Sequence, residues 1–133
     1  MNKNLEALEE LFTDKDEVDT SDLVSILSPY IRIRKEDDRI IFLDEGHRAT
    51  VRKKVLIFLL AKKVLFLLGK IDSEFVAPKE IIFETKLSRG SVLPTMMKLK
   101  NEYVSAVDGK YFIPNHKIVK LKDNKEFAYE ENK

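Results

Sequence analysis

The sequence predicts an α+β fold, mostly helical, with two small β-hairpins. Three observations carry that prediction. From Val55 to Leu68 nearly every residue is apolar, interrupted only by Lys62 and Lys63, and the run is too long for a strand. Two shorter helical stretches follow, one opened by Pro78 and one by the polar turn Ser88-Arg89-Gly90-Ser91. Two β-rich runs then flank Asp108-Gly109, the strongest short hairpin signal a sequence offers.

Taken in order, Leu5, Leu8, Leu11 and Phe12 recur at helical spacing and predict a short amphipathic helix, followed by an acidic linker over Thr13 to Asp19. Thr20, Ser21 or Asp22 can cap a second helix that carries Leu23, Val24, Ile26 and Leu27 on its apolar side and stops at Pro29. Tyr30 to Ile33 and Ile40 to Leu43 are β-rich runs around a polar turn at Lys35 to Asp38, which reads as a hairpin. Asp44, Glu45 and Gly46 break the strand, and Thr50 is an N-cap candidate for the long helix.

That helix is too short to cross a membrane, because a span needs about 20 apolar residues and here two lysines fall inside the run. With apolar positions on almost every side, it is expected between two layers of the protein or between a domain and a second subunit. Lys62 and Lys63 would mark its wet edge. Gly69 suits a left-handed C-cap. Ile71 to Val76 is a connector with room for one short strand. Pro78 opens a helix through Ile81, Ile82 and Phe83. A further helix puts Val92, Met96 and Leu99 on one face and ends near Glu102, ahead of the hairpin over Tyr103 to Ile113.

The order of a long helix, a short helix opened by Pro78, the turn Leu87-Ser88-Arg89-Gly90-Ser91, a helix ending in Lys98-Leu99-Lys100-Asn101-Glu102 and a hairpin at Asp108-Gly109 resembles a winged helix-turn-helix domain. The resemblance covers about residues 50–119 and rests on the order and spacing of five elements, with no single diagnostic residue. It divides the chain into an acidic segment with a hairpin over 1–49, a winged unit over 50–121 and a polar tail over 122–133, in which Phe127 and Tyr129 are the residues able to dock.

The resemblance implies double-stranded DNA as partner, with the second helix of the motif in the major groove and the hairpin reaching the backbone or minor groove. If Val92, Met96 and Leu99 face the core, helical geometry turns Ser91, Thr95 and Lys98 outward, with Ser88 and Arg89 at the amino end. Arg89 is the candidate base reader, since a guanidinium matches guanine O6 and N7 together. Lys79, Lys86, Lys98 and Lys100 are candidate phosphate contacts, and Lys110 is the hairpin's contribution. Pro94 departs from the pattern, unless the regular helix begins at Gly90 or Ser91 and leaves the proline in the first turn.

Charge supports a polyanionic partner. The chain of 133 residues has a formal net charge of only +1, but residues 1–49 carry 7 basic against 13 acidic groups and residues 50–122 carry 15 against 6. The two parts can also neutralise each other within the fold. There is no cysteine and hence no disulfide or thiolate chemistry. The start of the chain is rich in Glu and Asp rather than leader-like, so a cytoplasmic location is expected. The absence of glutamine and the abundance of Lys and Glu follow a bias common in proteins from hot environments.

Catalysis has few candidates. His47 and His116 are the only imidazoles, and neither has a second ligand at metal spacing. Asp44 and Glu45 beside His47, and the pair Asp37 and Asp38, sit in polar turns where solvation explains them. No phosphate loop, nucleophile elbow or dinucleotide fingerprint is present. The sequence therefore predicts no enzyme, no cofactor and no metal, and leaves any small-molecule effector unknown. The function expected is sequence-specific DNA binding by a dimeric transcription regulator. The alternative is a winged unit that serves as a protein-interaction module.

Overall fold

The computed structural model describes residues 20–123 and Phe127; the expected helix over Leu5 to Phe12, the linker Thr13 to Asp19 and Tyr129 lie outside them. The elements are α1 (Thr20–Leu27), β1 (Ile31–Ile33), β2 (Ile40–Phe42), α2 (Asp44–His47), α3 (Val51–Leu67), α4 (Pro78–Thr85), α5 (Arg89–Leu99), β3 (Ser105–Val107), β4 (Lys110–Phe112) and α6 (Asn115–Asp123). The class is α+β, with two separate antiparallel hairpins.

Helix α3 is the axis of the molecule. Thr50 caps it, its side chain accepting from the Lys53 amide at 3.1 Å, and Gly69 ends it with φ of 75°. Val55 to Ala61 are seven consecutive buried residues, because α1, α4, α5 and β4 pack around the helix. The chain thus covers most of this helix itself, and only the C-terminal end, Phe66, Leu67 and Leu68, remains exposed. Phe66 and Phe75 are both partly open to solvent, Phe75 leaning on Phe112 with ring centroids 4.8 Å apart.

Lys63 overturns one expectation. It is 1% exposed rather than at a wet edge, and its Nζ lies 2.5 Å from Asn115 Oδ1 and 2.5 Å from Glu74 Oε1. The donor geometry favours the amide oxygen, so the contact to Glu74 is ionic, and no other donor among the described residues reaches Oε1. A lysine inside an apolar run survives burial only with such partners, and both come from segments distant in sequence. Lys62 is half-buried and paired with Glu80 at 2.6 Å.

Two further differences concern the ends of the chain. The divisions at residues 49/50 and 121/122 are not core boundaries. Helix α6 runs through to Asp123 and packs on α1, and Leu23, Ile26 and Leu27 share one core with Val55, Ile118 and Leu121. Asp22, 5% exposed, takes the Lys122 ammonium at 2.8 Å, so part of the acidic segment does neutralise the basic part. Phe127, one of the two tail residues expected to be able to dock, is buried against Tyr30, ring centroids 6.0 Å apart.

Both hairpins form where expected. Asp108 and Gly109 have φ of 51° and 77°, the paired positive values of a two-residue turn whose twist matches the strands. Tyr111 also exchanges backbone hydrogen bonds with Val76, at 2.8 and 2.9 Å, which ties the connector before α4 to the hairpin after α5. Asp44 to His47, expected to break the strand, instead form the single helical turn α2. This brings Gly46 so close to the Tyr30 carbonyl that an added Cβ would sit 2.4 Å from its oxygen.

Candidate nucleic-acid interface

Helices α4 and α5 meet at a turn of three residues. Lys86 closes α4 in the left-handed conformation, φ 64°, and Ser88 opens α5 as its N-cap, accepting from the Ser91 amide at 3.1 Å. Ile81 from α4 and Val92, Met96 and Leu99 from α5 are buried, which fixes the two helices against α3. At the far end Glu102 grips Arg52 of α3 through two hydrogen bonds, at 3.1 and 2.6 Å. The guanidinium holds that carboxyl below the usual carboxylate range. Helix α5 is therefore held at both ends.

The expected site residues distribute along this frame. Lys86, Ser88 and Arg89 come together at the turn, all exposed, with Arg89 the first residue of α5. The Lys86 ammonium lies 5.6 Å from the centre of the Phe83 ring, which is itself 72% exposed. Lys98 and Lys100 are exposed at the other end of α5, Lys79 is exposed in the first turn of α4, and Lys110 is exposed at the β3–β4 turn. Nine residues at about 1.5 Å each place Lys98 about 14 Å along the axis from Arg89.

Ser91 and Thr95 are placed differently from the expectation. Both are half-buried on the flank of α5, and their hydroxyls are engaged by their own helix: Ser91 Oγ lies 2.8 Å from Ser88 Oγ, and Thr95 Oγ1 donates to the Ser91 carbonyl at 2.8 Å. The outward ridge is Gly90, Pro94 and Met97, with Met97 61% exposed. Pro94 lies inside the helix, five residues beyond its first, rather than in the first turn, and leaves the Gly90 carbonyl without its helical donor. The ridge that faces outward thus carries small and apolar groups, and polar ones lie beside and beyond it. Met97 breaks no local pattern that would have revealed this; its exposure follows from which face of α5 rests on α3.

Away from α4, α5 and the second hairpin, several basic residues are paired with carboxylates from other parts of the chain: Arg52 with Glu102, Lys62 with Glu80, Lys63 with Glu74 and Lys122 with Asp22; others there, Arg39 and Lys54 among them, are in no ion pair among the described residues. Among the described residues none of Lys79, Lys86, Arg89, Lys98, Lys100 and Lys110 is in an ion pair. Among the described residues, too, no group of three His, Cys, Asp or Glu is placed to hold a metal ion, and no helix is long and apolar enough to cross a membrane. No family model matches the chain, and neither a curated protein nor a solved structure matches it.

Proposed function

We propose that the protein binds double-stranded DNA through α5 and the β3–β4 hairpin, in the manner of a winged helix-turn-helix domain, and acts as a transcription regulator. The order α3, the Val76 bridge, α4, α5, β3 and β4 supports the winged reading. The observation that carries the function is a set of cations: six exposed basic residues outside any described ion pair lie on α4, α5 and the hairpin turn. A major groove is about 12 Å wide, so basic groups about 14 Å apart at the two ends of α5 suit the phosphates on either side of it. Arg89, at the helix start, is the residue offered to a base edge.

A salt titration of duplex affinity is the test. Five phosphate contacts, from Lys79, Lys86, Lys98, Lys100 and Lys110, give a slope near −4.5 in log affinity against log salt, so binding should weaken about five-hundredfold between 50 and 200 mM salt. Changing Arg89 and Lys98 together to Ala should reduce that slope by about 1, for the phosphate contact of Lys98, and relax preference at the base Arg89 reads. A flat salt response, or no duplex binding at low salt, refutes the proposal. The apolar ridge of Gly90, Pro94 and Met97, with Phe83 exposed nearby in sequence, favours a second reading: α5 as a docking face for another protein. In that case Met97→Glu would abolish partner binding while duplex DNA would not bind at all. With Val55 to Ala61 covered by the chain itself, neither reading requires a second copy.

A further inference from the structure

The N-terminal hairpin lines a cleft that the DNA reading leaves out. Between β2, the long helix and the end of α4 lies a cleft of about 380 Å³, and four permanent cations line it: Arg34, Arg39, Lys54 and Lys86. They come from three separate parts of the chain, the first hairpin, α3 and the cap of α4. Glu84 is the one carboxylate in the lining, His47 adds an imidazole, and Ile40 and Phe42 supply apolar wall.

The charges in this cleft do not cancel. Asp37 holds Arg34 through Nε and one terminal nitrogen, at 2.9 and 2.5 Å, which fixes that side chain and offsets its charge. Among the described residues Arg39, Lys54 and Lys86 have no carboxylate partner in an ion pair, and against Glu84 they leave an excess of two positive charges. Like charges are gathered this way at a cost, since they repel, and apolar walls strengthen that repulsion. A phosphate group relieves it: it carries between one and two negative charges and several acceptor oxygens, enough for a fixed guanidinium and two or three ammonium or guanidinium donors.

We propose that this cleft binds a phosphate group, which belongs either to a free phosphorylated small molecule or to the backbone of a nucleic acid. The site shares Lys86 with the proposed DNA face, but Arg34, Arg39 and Lys54 are its own, and it does not depend on α5 reading DNA.

The experiment is an NMR titration of the full chain with inorganic phosphate, chloride being replaced to hold ionic strength constant. The amides of Phe42, Lys54 and Lys86 should shift together and saturate. The double variant Arg39→Ala/Lys54→Ala should weaken that binding about tenfold or more, the loss expected for two charged donors. Arg39→Gln/Lys54→Gln, which keeps side-chain bulk, should do the same if the alanine protein does not fold. No saturable shift at the cleft, or a shift unchanged in both variants, overturns the proposal.

A duplex arm then separates the sources. If the variants also lose duplex affinity, with a salt slope smaller by about 2, the phosphate is that of a nucleic-acid backbone. If they bind duplex as the wild type does, or the wild type binds none, while the phosphate response is lost, the ligand is a free phosphorylated molecule. Failure of duplex binding in the wild type thus refutes the regulator reading and leaves this site to be judged by its own titration.

Discussion

Replacing Lys63 by Met removes a buried charge while keeping an unbranched side chain of similar reach, so the apolar contacts of α3 are largely preserved. What changes is electrostatic. Glu74 keeps a carboxylate whose side chain is 14% exposed, whose Oε1 has lost the ammonium 2.5 Å away and has no other donor among the described residues. Asn115 Oδ1 loses its 2.5 Å donor as well. Breaking one side of a buried pair costs about 3–5 kcal/mol, and a domain of this size has roughly 5–15 kcal/mol in all. With a urea dependence of about 2 kcal/mol per molar, the midpoint followed by far-ultraviolet circular dichroism should fall by roughly 2 M. The second change, Glu74→Leu in the same chain, removes the stranded charge and should return the midpoint to within about 1 M of wild type, because a hydrophobic replacement of a buried pair is close to neutral. A single variant that loses less than about 1 kcal/mol, or a double variant no better than the single, would refute the claim that Glu74 depends on Lys63.

Three further outcomes follow from local geometry. Gly46→Ala places a Cβ 2.4 Å from the Tyr30 carbonyl oxygen, an atom that also accepts the Leu43 amide at 2.7 Å, and should cost about 2–3 kcal/mol and roughly 10 °C in a thermal melt; an unchanged melting temperature would show that the approach is relieved by backbone movement. Asp37, held by Arg34, has its carboxyl lowered from 3.8 to about 2. A lowered folded value stabilises the fold above the ordinary carboxylate range and ceases to do so as pH falls from about 4 through 2, so the Asp37 carboxyl signal should titrate near 2 and return toward the ordinary value in Arg34→Ala. Gly109→Val, at φ of 77°, should destabilise the second hairpin by about 1–2 kcal/mol in denaturant, and a variant as stable as wild type would mean that the turn changes type without loss.

The elements legible in the sequence were those with a local cause. Thr50 caps α3 because its hydroxyl reaches an amide three residues on, Asp108-Gly109 turns the chain because both tolerate positive φ, and Val92, Met96 and Leu99 share a face because 3.6 residues make a turn. The basic bias of the C-terminal part was equally plain as a count. Burial of Lys63 was not legible, since its partners Glu74 and Asn115 are 11 and 52 positions away and only packing unites them. Nor was the fate of Ser91 and Thr95: helical spacing places them beside one another, but how α5 rolls on α3 turns Met97 and Pro94 outward in their stead.

The amino-acid order alone therefore determined where α1, α3, α4 and the two hairpins lie, though not α2 or α6, because caps, turns and periodicity act within a few residues. Tertiary structure alone decided which charges remain outside ion pairs. Long-range contacts assign a carboxylate to Arg52, Lys62, Lys63 and Lys122 and none among the described residues to Arg39, Lys54, Lys86 or Arg89, and an ionic contact across tens of residues has no signature in local sequence.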